Sequence, residues 1–121
     1  MWKKANPNPC RTEEPDCVVR AIAIVTRKKW DRVHYELCEM SRRYCTMPSV
    51  NWLWGMYLEM NGFEKFIVDA PVTVREFSLS VRFGDCVACT GTHAVAIRNG
   101  NYLDAWDSGD EIVSFYYWRR K

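Results

Sequence analysis

Thr92-His93-Ala94-Val95-Ala96-Ile97-Arg98-Asn99-Gly100-Asn101-Tyr102-Leu103-Asp104-Ala105-Trp106-Asp107 is the stretch on which the fold turns. Asn-Gly between two short β-rich runs is the composition of a two-residue hairpin, because both turn residues must take positive φ and these two do so at least cost. His93–Arg98 and Tyr102–Trp106 therefore read as adjacent antiparallel strands. Outward from them, Val87–Thr90 lies before a Gly91-Thr92 break, and Ile112–Trp118 lies beyond Asp107-Ser108-Gly109-Asp110, a turn composition. The last third of the chain is thus an antiparallel sheet.

Upstream the pattern changes. Cys17-Val18-Val19-Arg20-Ala21-Ile22-Ala23-Ile24-Val25 is apolar nearly all round, with Arg20 the sole interruption. A buried strand and a buried helix both fit such a run. The alanines, and an Asp16 able to cap the first turn, favour a helix starting at Asp16 or Cys17. Trp30, Val33, Leu37, Met40 and Tyr44 recur at helical spacing and form one face of a second helix. Ser49 is placed to cap a third over Val50–Met60, which Asn61-Gly62 would stop in a left-handed conformation. Phe63–Val68 reads as a short strand, and Thr73 as the cap of a brief helix through Glu76 and Leu79. Residues 1–15, with Pro7, Pro9 and Pro15, read as an irregular leader. Helices first and a sheet last make residues 1–121 a single α+β domain.

Composition excludes several classes of function. A 121-residue chain with 48% hydrophobic and 14% aromatic residues has enough apolar material for a packed core, so it is not a disordered tail. A formal net charge of +2 is too small for the basic face of a nucleic-acid binder. No apolar run approaches the roughly 20 residues that span a bilayer, and no apolar segment of a signal peptide follows Lys3-Lys4. The expectation is a cytoplasmic protein (host cytoplasm if viral), with no membrane or nucleic-acid partner. Arg119-Arg120-Lys121 reads as a solvated end.

Six cysteines without an export signal argue against a disulfide framework. Cys86-x-x-Cys89 is half of a zinc knuckle in spacing, yet a second such pair is missing. On a strand, residues three apart point to opposite faces. Cys38 and Cys45 lie about two turns, or ~10 Å, apart on a helix. Core packing is the reading for these four, and no metal or organic cofactor is expected.

The remaining constellation is chemical. Of the two histidines, His34 sits among helix-face residues, whereas His93 opens a strand where loops meet the sheet. Asp107 follows the next strand, so a hairpin could set it beside His93 and hold the imidazole by its other nitrogen. Cys17, at the start of a helix, would feel the positive end of the helix dipole, which favours thiolate. Trp106, next to Asp107, is placed to shield an acid–imidazole bond from water.

Three blocks carry a resemblance: Pro15-Asp16-Cys17-Val18-Val19-Arg20-Ala21-Ile22, Gly91-Thr92-His93-Ala94-Val95-Ala96-Ile97, and Asn101-Tyr102-Leu103-Asp104-Ala105-Trp106-Asp107-Ser108. Together they resemble the papain-like cysteine peptidase superfamily, in which a Cys opens a buried helix, a His begins a strand and an Asn or Asp ends the next. They are also similar to its NlpC-type amidases and bacteriocin-processing peptidases, and to small papain-like proteins of phages and gut bacteria. The resemblance covers about 30 residues and implies a papain-like α+β fold. It also implies a Cys17-His93-Asp107 triad and a thiol hydrolase acting on a peptide, isopeptide or amide bond of a protein or peptide substrate.

The family's spacing from Tyr102 selects Asp107 over Asp104, which would project from the opposite face of an uninterrupted strand. The family's oxyanion glutamine, six residues before the Cys, is Arg11 here. The Cys17 backbone N–H would then need a second donor, with Asn6, Asn8 and Arg11 the candidates. A transglutaminase or deamidase would use the same triad. A non-catalytic binding or inhibitor protein on the same scaffold is the reading from another class.

Overall fold

In the computed structural model, residues 1–11 and 15–120 are described; residues 12–14 of the leader and Lys121 of the basic end lie outside them. The described elements are β1 (Trp2–Lys4), α1 (Cys17–Thr26), α2 (Trp30–Arg43), α3 (Asn51–Met60), β2 (Glu64–Ile67), α4 (Val74–Ser78), β3 (Asp85–Cys89), β4 (Ala94–Arg98), β5 (Asn101–Asp104) and β6 (Phe115–Arg119). The strands form one mixed sheet in the order β1-β5-β4-β3-β6-β2. All neighbours are antiparallel except β1 and β5. The chain is therefore α+β. No helix among the described residues is long and apolar enough to cross a membrane.

Two apolar layers cover the sheet. On one face α1, α2 and α3 pack through Ile22, Val25, Val33, Leu37 and Leu53 against Val87, Cys89, Ala96 and Tyr117. On the other, Val74 of α4 joins Val81, Val95, Ile97, Tyr102 and Val113. Central strand β3 is buried at every residue, so it reads as a continuous apolar run rather than an alternating one. Cys86 belongs to one layer and Cys89 to the other, as strand alternation requires.

α1 is the central helix, and Ile22 and Val25 on it are wholly buried. Its C-terminal carbonyls are held by arginines. Arg98 donates to Ile24 O (2.5 Å), and Arg119 donates to Val25 O (3.0 Å). Both guanidinium groups, with that of Arg27, converge on the buried carboxylate of Asp85 at the head of β3 (3.1–3.4 Å). Cations at the negative end of the helix dipole are favourable, and here they pin the helix to three strands.

Several local expectations need correction. The leader is not irregular throughout, because Trp2–Lys4 add a parallel strand to the edge of β5. The Trp2 indole and the Ala5 N–H both donate to Asp104 O, at 3.2 and 2.9 Å. Asp16 occupies the N-cap of α1 but makes no side-chain cap bond, and Ser49 does not cap α3, whose N-cap is Val50. Tyr44 falls past the end of α2 and is exposed, edge-on to Trp52. Cys45, expected in the core, is exposed at positive φ in the turn after α2, and Cys38 is only partly covered. Thr73 caps α4 through a full capping box with Glu76. Asn99 and Gly100 both take positive φ, the hairpin geometry their composition requires.

Candidate active site

The N-terminus of α1, the 90–93 turn between β3 and β4, and the end of β5 meet at one wall of a cleft of about 540 Å³. Trp30 and His34 of α2, Trp54 of α3 and Phe115 of β6 also line it. His93 is fixed by the turn, where Thr90 N–H donates to its carbonyl (2.9 Å). Its Nε2 lies 2.6 Å from Asp104 Oδ2. The Cys17 side chain lies close enough to the ring, and to the Ala94 backbone N–H, for both to lower its pKa. Cys17, His93 and an acid are thus brought together.

The acid is Asp104. Asp107 accepts instead from the Tyr102 hydroxyl (2.6 Å) and the Gly109 N–H (3.0 Å), and its side chain is 45% exposed. The reason is the register. Ala96 opposes Leu103 and Ile97 opposes Tyr102. Continuing that pairing to the strand ends sets His93 against Trp106, with Asp104 as its diagonal neighbour. Diagonal pairs on one face lie within reach of long or aromatic side chains. Asp107 has the other parity, and β5 has already ended at Asp104.

Asp104 is almost fully buried and richly satisfied. Oδ2 also accepts from Ser108 Oγ (2.7 Å), and Oδ1 from the Ala105 N–H (2.7 Å). The Arg20 guanidinium lies 3.5 Å from Oδ1. Arg20 in turn pairs with Asp16, whose other oxygen accepts from Asn8 Nδ2 (3.0 Å) and Trp30 Nε1 (2.9 Å). The Trp106 ring is stacked on His93 at 4.9 Å and lies 5.0 Å from the Arg20 guanidinium carbon. It covers one face of the His93 ring, whereas the sequence placed it to shield a bond to Asp107 that does not form.

These neighbours set the protonation states. Burial pulls the His93 imidazolium down. The Asp104 hydrogen bond, the Cys17 hydrogen bond and the two negative charges outweigh it, raising the group from 6.5 to about 9. For Cys17, burial raises the thiol. The hydrogen bonds from His93 and Ala94 and the positive charges of His93 and Arg20 overcome that, and the net shift is downward. Burial likewise works to raise the Asp104 carboxyl, but hydrogen bonds from His93 and Ser108 leave it below its ordinary value. The combination favours a thiolate–imidazolium pair.

The expected oxyanion donors do not line the cleft. The Asn6 side-chain Oδ1 accepts the Asn8 backbone N–H (3.1 Å). Asn8 is buried, accepting from Cys10 N–H and donating to Asp16. Arg11 sits exposed at positive φ in the turn beyond. All three are drawn into the turn that holds Asp16. What faces the cleft is the first turn of α1. Its first backbone bond within the chain is Arg20 N–H to Asp16 O, so the N–H groups of Cys17, Val18 and Val19 have no acceptor inside the helix. Asp16, turned toward Arg20, does not cap them.

Arg20, Ser108, Trp30 and the role of Asp16 were not foreseen. Arg20 did carry a signal, because a lone charge in an otherwise apolar buried helix must find a partner. Among the described residues no group of three His, Cys, Asp or Glu side chains is arranged to hold a metal ion. No family profile, curated protein or solved structure matches the chain.

Proposed function

We propose that the protein is a papain-like thiol hydrolase that cleaves a peptide, isopeptide or amide bond, with Cys17 as nucleophile, His93 as acid and base, and Asp104 as the orienting acid. The observation that carries this reading is the His93 ring. Its Nε2 bonds the Asp104 carboxylate and the ring lies beside the Cys17 side chain, at the N-terminus of α1 and on the wall of a cleft.

The chemistry follows from the proton positions. The Cys17 thiolate attacks the carbonyl carbon, and the C=O electron pair moves onto oxygen. The α1 N–H groups of Cys17 and Val18, which have no acceptor inside the helix, are the donors for that charge, and the helix dipole adds to them. As the C–N bond breaks, the His93 imidazolium passes its proton to the leaving amine. A water molecule, losing a proton to His93, then attacks the thioester and releases the acid and the free thiol group. Asp104 keeps Nε2 engaged so that the other ring nitrogen faces the sulfur.

The cleft walls include Trp30, Trp54, Trp106 and Phe115, with Asp16 the one acid among the described lining residues, and favour an acyl group bearing a bulky apolar side chain. A library of acyl-amide and acyl-peptide reporters would test this directly. The expected result is release of amine with a transient Cys17 acyl adduct by mass spectrometry, abolished in Cys17→Ala and in His93→Ala. Turnover that survives in Cys17→Ala would overturn the assignment.

A further inference from the structure

Arg20 is 3% exposed and sits one helical turn beyond Cys17, so the two residues share a face of α1. Its guanidinium touches both acids of the site, Asp16 at the N-cap of α1 and Asp104 at the end of β5 (3.5 Å). Trp106 lies over it at 5.0 Å, the same ring that stacks on His93. Asp16 is further fixed by Asn8 and by the indole of Trp30, a wall of the cleft. The side chain therefore joins two pieces of the chain that must hold their relative position if sulfur and imidazole are to meet.

We propose that Arg20 is a positioning residue for this site, clamping the turn that presents Cys17 to the acid that orients His93. The proposal rests on the catalytic reading above. Two consequences follow. Asp16 is drawn away from the capping role its sequence position suits, so the helix N-terminus stays open to the cleft. A buried cation near the sulfur also favours the thiolate over the thiol. A planar guanidinium suits this task because it can face two carboxylates at once, whereas an ammonium is a point charge.

The test is the pH profile of Cys17 alkylation by limiting iodoacetamide, read by peptide mass spectrometry in four proteins: the unaltered chain, Arg20→Met, Arg20→Lys and His93→Ala. The expected result is a midpoint raised by about one pH unit or more in Arg20→Met, roughly tenfold less thiolate on the acid side. Arg20→Lys should recover part of that shift. Because Arg20→Met removes the cation paired with the buried Asp16, a double variant, Arg20→Met with Asp16→Asn, keeps the comparison available if the single one does not fold.

A double variant with the profile of the unaltered chain would mean that Arg20 only neutralises Asp16, and would overturn the proposal. So would an unchanged midpoint in folded Arg20→Met. If His93→Ala also leaves the midpoint unchanged, the catalytic reading itself fails. If only the Arg20 variants are silent, the clamp alone fails.

Discussion

Replacing Asp104 by Asn keeps the shape of the side chain and removes the charge that lies 2.6 Å from Nε2 of His93. Its effect on the imidazole can be worked out from the groups present. Burial lowers the affinity of His93 for its proton, and the raised value of about 9 is sustained against it by Asp104 first and Cys17 second. Without the carboxylate, only the thiolate opposes burial, and the midpoint should fall well below 9. A fall of one unit or more would take the protonated fraction at pH 8 from about nine-tenths to about one-half or less. The assay is an NMR titration of the imidazole in a His34→Asn background, where one histidine signal remains. Asp107→Asn is the matched control, since Asp107 serves Tyr102 and Gly109, and it should leave the His93 midpoint near 9. An Asp107→Asn protein with a collapsed midpoint, beside an Asp104→Asn protein that retains it, would refute both the register argument and the choice of acid.

Asp85→Asn removes the anion on which Arg27, Arg98 and Arg119 converge. The expected loss on chemical denaturation is of order 3 kcal/mol, the low end for breaking a buried pair, because the arginines keep some contact with water. Burial tends to raise the Asp85 carboxyl, but hydrogen bonds from Arg27 and Arg119 hold it below its ordinary value. Its stabilising contribution is therefore fully present above about pH 4 and lost as pH falls through the folded value. In Asp85→Asn that acid-side dependence should flatten. Gly55→Ala on α3 places a Cβ 2.3 Å from the Tyr117 hydroxyl. The buried tyrosine ring is held edge-on to Trp54, so a shift in the denaturation midpoint worth about 1–3 kcal/mol is expected. Trp106→Ala strips the cover from His93 and Arg20. The lost cation–π contact costs about 1 kcal/mol, and alkylation of Cys17 at pH 6 should slow as water reaches the acid–imidazole bond.

What the sequence made legible, and what it hid, follows from the range of the forces involved. The helix over Cys17–Thr26, the Asn99-Gly100 hairpin and the Thr73 cap depend on apolar periodicity and on local turn chemistry, which neighbouring residues display openly. β1 was hidden because three residues of Trp-Lys-Lys carry no periodic signal. Their order comes from pairing with β5, about a hundred positions away. The choice between Asp104 and Asp107 was legible in principle. A two-residue hairpin fixes register, and register puts Trp106 and Asp104, not Asp107, beside His93. The spacing borrowed from a family resemblance pointed elsewhere because it counts along the chain rather than across the strands. The misplaced oxyanion donors have a different cause. Asn8 is spent on Asp16, and Asp16 on Arg20, a chain of side-chain bonds that no local pattern announces.

The central claim is that Cys17 and His93 form an activated pair. Its most direct test is site-resolved alkylation of all six cysteines by limiting iodoacetamide from pH 5 to 9, with and without His93→Ala. The expected result is selective labelling of Cys17 at acidic pH, ahead of the exposed Cys10 and Cys45, with the selectivity lost in the variant. Labelling of Cys17 that trails those exposed thiols and is indifferent to His93 would contradict the claim.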